Sequence, residues 1–141
     1  IACRVALVVC ELTELKKGSV LHLVNGGSYL QHPVFAPDFV QTLLDIPGRD
    51  NCEGQIFNIA NPEVISSRRY YEVIAEILGV EAHFEKVDQK NFLQENPDLA
   101  SFCCDRVSDL TLLKQSGLIL PQTRLNDGLA RQIEWLQGRL E

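Results

Sequence analysis

Arg106 is the residue of this sequence whose type and position best suit the binding of an anion. It stands in a loop just before a predicted helix and is the only cation between Lys90 and Lys114. A guanidinium offers a planar fork of donors to a phosphate, and a helix N-terminus also favours negative charge. A salt bridge to Asp105 or Asp109 would explain the same residue equally well, so the sequence leaves both roles open.

Two other groups of residues could support acid, base or nucleophilic chemistry. Cys103 and Cys104 have no histidine close in sequence to act as a base, so a structural pair of thiols is the preferred interpretation. His32 and Asp38 could form an acid/base couple. However, Asp38 follows Pro37 in the first turn of a predicted helix, where a carboxylate stabilises the helix dipole. The sequence therefore predicts no catalytic residue.

Phosphate-loop and zinc chemistry are also disfavoured. The run at residues 25–27, Asn-Gly-Gly, follows a predicted strand, but the sequence contains neither GxGxxG nor GxxxxGK[ST]. We predict a plain hairpin turn there. The five cysteines form no CxxC pair and the three histidines are scattered, which favours reduced thiols of a cytosolic protein over a zinc site.

Length and charge narrow the class of protein further. The 141 residues suit one domain, and the net charge of -6 argues against a nucleic-acid or anionic membrane surface. The most apolar run, residues 5–9, is far shorter than the roughly 18 residues that a bilayer span needs. We expect a cytoplasmic protein that binds neither nucleic acid nor membrane.

Hydrophobic periodicity predicts helices alternating with a few short strands. The helices are expected at 3–17, 37–46, 66–78, within 88–100, at 109–115 and at 125–136, and the strands at 20–24, 54–59 and 81–87. Ser66 or Ser67 can cap the third helix and Gly79 can end it. Three strands cannot make an independent doubly wound sheet. The fold class is therefore α+β, a few short strands with five or six helices.

Several motifs, in their order along the chain, resemble the C-terminal region of the extended short-chain dehydrogenase/reductase superfamily, the NAD-dependent epimerase/dehydratase family of nucleotide sugars. They cover nearly the whole chain: KGSVL at 17–21, LVNGGS at 23–28, FAPDFVQTLLD at 35–45, GQIFNI at 54–59, LG at 78–79, the loop with Arg106, SGLILP at 116–121 and TRLNDGLARQIEW at 123–135.

The resemblance implies an α/β Rossmann-type enzyme of which residues 1–141 are the single substrate-binding, C-terminal domain. Complete members carry an N-terminal Rossmann domain with a glycine-rich NAD(P) loop and a catalytic Tyr-x-x-x-Lys pair. This chain has no such loop, and no tyrosine stands four residues before any of its five lysines. We therefore expect NAD or NADP to be bound by the full-length protein and not by this fragment, which is not catalytic alone.

The resemblance also suggests substrate-binding residues. Arg106 matches the arginine that binds the diphosphate of a nucleotide sugar in many members. Gln31 and His32 occupy the turn where the family's GxQxRxF pattern supplies another arginine. This sequence reads Gln31-His32-Pro33 there, a departure that resembles atypical members with other substrates or none.

The leading hypothesis is the substrate-binding part of a nucleotide-sugar epimerase or dehydratase, or of a related reductase. Its expected partners are a small-molecule substrate and its own Rossmann domain. The alternatives are a non-catalytic binding or scaffold module of the atypical branch and a small interaction domain complete in itself. The leading hypothesis predicts exposed apolar area on the first helix and on the 54–59 strand, and hence a possible homodimer.

Overall fold

The computed structural model describes residues 12–140, and the side chains up to residue 138. Helix α1 is described from residue 12 to residue 16, so the rest of the predicted first helix lies outside the described residues. The other helices are α2 (Ala36–Leu44), α3 (Ser67–Leu78), α4 (Gln89–Glu95), α5 (Thr111–Gln115) and α6 (Leu125–Leu140). The strands are β1 (Val20–Val24), β2 (Leu30–Gln31), β3 (Ile65–Ser66) and β4 (His83–Val87).

The helices begin and end where capping chemistry places them. The Ser66 hydroxyl accepts the Arg69 amide at 3.1 Å, which satisfies a free donor at the start of α3. Gly79 ends that helix in the left-handed conformation at φ 67°. The Asp88 carboxylate accepts the Asn91 amide at 3.0 Å and so caps α4 in the same way.

The strands of the described residues form two separate pairs. β1 and β4 are parallel, with Val20 opposite His83 and Val24 opposite Val87. β2 and β3 are antiparallel and only two residues long, with Leu30 opposite Ser66. Because parallel strands share their orientation, the carboxyl ends of β1 and β4 lie at the same edge.

Two sequence predictions were wrong, one about the turn at residues 25–27 and one about the segment at residues 54–59. The turn at residues 25–27 does not close a hairpin, because β1 pairs with β4 and β2 pairs with β3. Residues 54–59 form no strand and pair with no other segment of the described chain. Phe57 and Ile59 instead pack on a small core, while Ile56 is 89% exposed. The predicted exposure of this segment is thus confirmed for Ile56 alone.

Within residues 12–138, two hydrophobic clusters hold the elements together. The larger joins α1, α3 and α6 through Leu12, Leu15, Val73, Ile74, Ala75, Leu129, Ile133 and Leu136. The smaller lies around α5 and contains Cys52, Ala60, Leu110, Leu113 and Leu118. The arrangement confirms the predicted α+β class. No helix within the described residues has the length and apolar character that a bilayer span requires.

Candidate functional site

The short strand β2 brings two of the three predicted binding residues into register. One edge of β2 pairs with β3, and on the other edge Gln31 forms a parallel bridge with Arg106. The Arg106 amide donates to the Leu30 carbonyl at 2.9 Å. Two segments that are distant in sequence are therefore joined by backbone hydrogen bonding and not by side chains alone.

Arg106 has a guanidinium without an anionic partner among the residues that the structure describes. Its Cζ lies 5.3 Å from the centre of the Phe102 ring, and its Nε is buried with no hydrogen-bond partner. Among residues 12–140 it forms no ion pair. An aromatic face can orient a guanidinium while leaving its outer donors available to an anion.

The salt bridge that offered an alternative role for Arg106 is not formed. Asp105 accepts the Leu30 amide at 2.8 Å through its Oδ1. Asp109 accepts both the amide and the hydroxyl of Thr111, at 2.9 and 2.7 Å, and these bonds hold its pKa below the usual range. The Asp105 carboxylate thus binds the backbone of β2, and the Asp109 carboxylate binds the first residue of α5.

The Gln31 side chain is bound within the fold. Its amide nitrogen donates to the Ser67 hydroxyl at 2.5 Å, and that hydroxyl donates to the Tyr29 carbonyl at 3.2 Å. The Ser67 amide donates to the same carbonyl at 2.9 Å. Gln31 therefore ties β2 to the first turn of α3.

His32 is held in one tautomer by the loop that follows Arg106. Its Nδ1 accepts the Ser108 amide at 3.1 Å, so in the neutral ring the proton lies on Nε2. Nε2 is buried and has no hydrogen-bond partner. His32 and Arg106 thus each contribute a buried nitrogen donor that no described acceptor satisfies.

The His32–Asp38 couple considered from the sequence is not formed. The Asp38 carboxylate accepts the amides of Gln122 and Thr123, at 2.8 and 2.7 Å, and the Thr123 hydroxyl at 2.8 Å. Burial raises the pKa of Asp38, but these hydrogen bonds and the charge of Arg131 outweigh it and leave the pKa below its usual value. Asp38 has the structural role that its place at the helix start indicated.

Sequence reasoning missed a half-buried hydrogen-bonded pair beside this loop. The Tyr29 hydroxyl donates to the Gln89 side-chain oxygen, and the Gln89 amide lies 3.5 Å from the Cys103 carbonyl. Desolvation, followed by the neighbouring Cys103, Asp105 and Cys104, raises the pKa of Tyr29. Only contacts distant in sequence create this pair, and no local motif marks it.

The vicinal cysteines differ in their surroundings. Cys103 is buried and Cys104 is exposed, and both carry free thiols. The Cys104 thiol lies 3.4 Å from the Ser101 carbonyl. Cys103 is therefore a buried structural thiol, as the sequence indicated, and no described histidine forms a hydrogen bond with either sulfur.

No family model matches the sequence, and no curated protein does either. Solved structures do match in fold. UDP-glucose 4-epimerase from Thermotoga maritima, solved with UDP-glucose, is 20% identical with a TM-score of 0.71, over 96% of this chain and 40% of that one. UDP-glucuronic acid 4-epimerase from Bacillus cereus, in complex with NAD, is 16% identical with a TM-score of 0.68, over 92% and 38%.

A third match is dTDP-glucose 4,6-dehydratase from Bacillus anthracis, in complex with NAD, at 17% identity and a TM-score of 0.66, over 94% and 39% of the two chains. The chain therefore spans about two fifths of the length of these structures. The predicted resemblance to extended short-chain dehydrogenase/reductase enzymes is confirmed at the level of the fold.

Proposed function

We propose that this chain is the substrate-binding part of an NAD(P)-dependent enzyme that acts on a nucleotide sugar, as an epimerase, dehydratase or related reductase. The fold shared with UDP-glucose 4-epimerase supports the proposal, because that protein was solved with a nucleotide sugar. In this proposal the hydride chemistry belongs to a separate Rossmann domain. The present chain would recognise the substrate and would not react with it.

The unpaired guanidinium of Arg106 is the observation that carries the proposal. Its Nε is buried without a partner, and the two neighbouring carboxylates are occupied elsewhere. A buried donor without an acceptor costs about 1–3 kcal/mol, so a fold that keeps one gains when an anion arrives. A diphosphate would supply acceptor oxygens to the guanidinium in two-point geometry.

Among the described residues, the turn at residues 25–27 does not fit the dinucleotide itself. The one Gly-Gly turn after a strand, at residues 25–27, is closed on its inner side. A Cβ at Gly27 would lie 2.9 Å from the Arg68 amide and 2.8 Å from Leu23 Cδ1. A phosphate could not approach the Gly27 backbone from that side, so NAD or NADP would depend on residues of the Rossmann domain.

A non-catalytic module is the second candidate, and the geometry of β2 favours it. Where nucleotide-sugar enzymes are expected to place another arginine, Gln31 binds Ser67 and His32 accepts from Ser108. Both side chains thus form hydrogen bonds within the fold, which reduces the number of groups that they can offer to a substrate. A chain with such a site could keep this fold and serve as a binding or scaffold part of a larger assembly.

Calorimetric titration with UDP and UDP-sugars tests the leading proposal. Binding by the chain, weakened at least about tenfold in Arg106→Ala, would support a diphosphate at Arg106. Arg124→Ala removes an exposed arginine on the turn before α6 and is the matched control, expected to bind as the unaltered chain does.

A negative titration would be followed by the same measurement on a chain that also carries a Rossmann domain. Binding there that depends on Arg106 would show that the site needs both parts. UDP-sugar binding that Arg106→Ala leaves unchanged would contradict the assignment of the arginine. No binding in either chain would favour the non-catalytic module.

A further inference from the structure

His32 takes part in the hydrogen bonding that holds the loop around Arg106 against β2. The Asp105 carboxylate accepts the Leu30 amide at 2.8 Å, and the Arg106 amide donates to the Leu30 carbonyl at 2.9 Å. Further along the loop, the Ser108 amide donates to His32 Nδ1 at 3.1 Å. A titratable side-chain nitrogen therefore receives the hydrogen bond at the far end of this short ladder.

The hydrogen bond between Ser108 and His32 needs an unprotonated Nδ1. This nitrogen accepts an amide only through its lone pair, and a proton placed there turns the acceptor into a donor. Histidine is the side chain that ordinarily changes charge between about pH 5 and 8. The Leu30 carbonyl that accepts the Arg106 amide does not titrate. The bond at Ser108 can therefore open in a pH range in which the bond at Arg106 stays intact.

The surroundings of the ring offer no compensation for a second proton. Nε2 of His32 is buried and has no hydrogen-bond partner among the described residues. No carboxylate of residues 12–138 forms an ion pair with His32. A protonated ring in the closed loop would thus carry two donors without an acceptor and a charge without a counter-ion. Both are unfavourable for a half-buried side chain.

The charged groups on the neighbouring segments do not supply that counter-ion. Arg106, on the same loop as Ser108, is itself a cation. The other charged side chains on the loop, at the starts of α2 and α3 and after Asn61 are all hydrogen-bonded to other residues: Asp105, Asp109, Asp38, Arg68, Arg69 and Glu63. The remaining titratable side chains on these segments are the Tyr29 phenol, which donates to Gln89, and the thiols of Cys103 and Cys104.

We propose that His32 is a pH-sensitive latch on the loop that follows Arg106. At neutral pH the ring accepts the Ser108 amide and the loop is closed against β2. As the pH falls, Nδ1 takes up a proton from solvent, the hydrogen bond to Ser108 breaks, and residues 107–109 separate from β2. The proposal concerns the backbone of the loop and does not rest on the proposed function.

Amide hydrogen exchange, followed by NMR at about pH 7 and about pH 5, tests the latch. After correction for the intrinsic exchange rate at each pH, we expect the protection of the Ser108 amide to fall about tenfold on acidification. The Arg106 amide is the internal reference. Its protection should stay constant, because its acceptor is a carbonyl.

His32→Asn removes the titration but keeps an acceptor. The asparagine Oδ1 can take the place of Nδ1, and it remains an acceptor at both pH values. The protection of Ser108 in this variant should therefore not change with pH. His83→Asn alters an exposed histidine at the start of β4 and is the matched control, expected to keep the tenfold change. Circular dichroism of both variants verifies that they fold.

The unaltered chain also provides a test that needs no variant. The ring signals of His32 should titrate with the same midpoint as the loss of Ser108 protection, and that agreement decides the question if His32→Asn does not fold. The proposal is overturned by Ser108 protection that does not depend on pH, by two different midpoints, or by a pH dependence that persists in His32→Asn.

Discussion

At the residue scale, Asp38 joins the first turn of α2 to the turn before α6. Its carboxylate accepts hydrogen bonds from the backbone amides of Gln122 and Thr123 and from the Thr123 hydroxyl. Hydrogen bonds to an ionised carboxylate are about twice as strong as neutral ones, and they favour the charged form. The lowered pKa of Asp38 is the consequence of that preference.

Asp38→Asn is expected to lower the free energy of unfolding by about 1–3 kcal/mol at neutral pH, because an amide accepts these hydrogen bonds less well. The folded pKa of Asp38 is lower than the unfolded one. Its ionised form therefore stabilises the fold above the unfolded pKa, and that contribution is lost as pH falls through the folded pKa. Urea unfolding should show the variant's deficit shrinking as the pH falls below the ordinary aspartate pKa of about 3.9.

The control for that experiment is Asp98→Asn, which alters an exposed aspartate. It should change the unfolding free energy by less than about 0.5 kcal/mol at any pH. A deficit for Asp38→Asn that stays constant from neutral to acid pH would show that the carboxylate charge is not what the loop recognises.

The sequence predicted the role of Asp38 but not its partners. A carboxylate in a first helical turn after proline is a local signal, and local physics decides it. The hydrogen bonds to residues 122 and 123 depend on the tertiary structure, which brings distant segments together and which no short motif encodes. The same holds for Arg106, whose loop was identified from local pattern while its bridge to Gln31 was not.

At the scale of elements, the turn after β1 is packed tightly against the start of α3. Gly27 has φ 73°, and a Cβ there would lie within 2.9 Å of Arg68. Glycine is the residue that combines this left-handed backbone with the absence of a side chain. The contact fixes how α3 lies on the β1–β4 pair, together with Arg68 stacked at 4.8 Å on Phe84.

Gly27→Ala is expected to destabilise the chain by about 2–4 kcal/mol, since the overlap with Arg68 adds to the backbone strain. Gly48→Ala is the matched control. Gly48 has φ 83°, and a Cβ added there would meet nothing within 4 Å, so this variant should show the strain of about 1 kcal/mol alone. Thermal or urea unfolding measures the difference, and equal losses for the two variants would refute the packing argument.

Helices were predicted better than strands, for a physical reason. Helix α3 carries its own cap, apolar stripe and glycine stop, all within residues 66–79. A strand exists only if a partner is placed beside it, often far away in sequence. Residues 54–59 have the apolar composition of a strand but pack on the smaller core without a pairing edge. β2 and β3, at two residues each, are too short to be recognised.

At the scale of the whole molecule, one face of α2 remains open. Phe39, Val40, Leu43 and Leu44 are all exposed, with Leu44 at 74% and Val40 at 48%. The opposite face of α2 is polar and bound. Thr42, fully buried, donates to the Ile119 carbonyl at 2.7 Å, and Asp45 accepts the Ile119 amide at 2.8 Å. The helix is thus attached through its polar face, and its apolar face is left exposed.

This apolar face predicts self-association of the chain at high concentration. Sedimentation velocity should show an average sedimentation coefficient that rises with concentration. The double variant Val40→Ser, Leu44→Ser should reduce that rise, whereas Val107→Ser, which alters an apolar side chain 50% exposed in the loop after Arg106, should not. A sedimentation coefficient that stays constant over the whole concentration range would contradict self-association through the α2 face.

The attachment of α2 has a consequence for the order in which the molecule is made. Asp38 accepts a hydrogen bond from Thr123, which is made 85 residues later. Thr42 donates to Ile119, which is made 77 residues later. On a ribosome, α2 therefore emerges long before the segment that receives its polar face. Until then the polar face of α2 lacks the hydrogen-bond partners that it has in the fold. Docking of α2 can be completed only after residues 117–123 have left the exit tunnel.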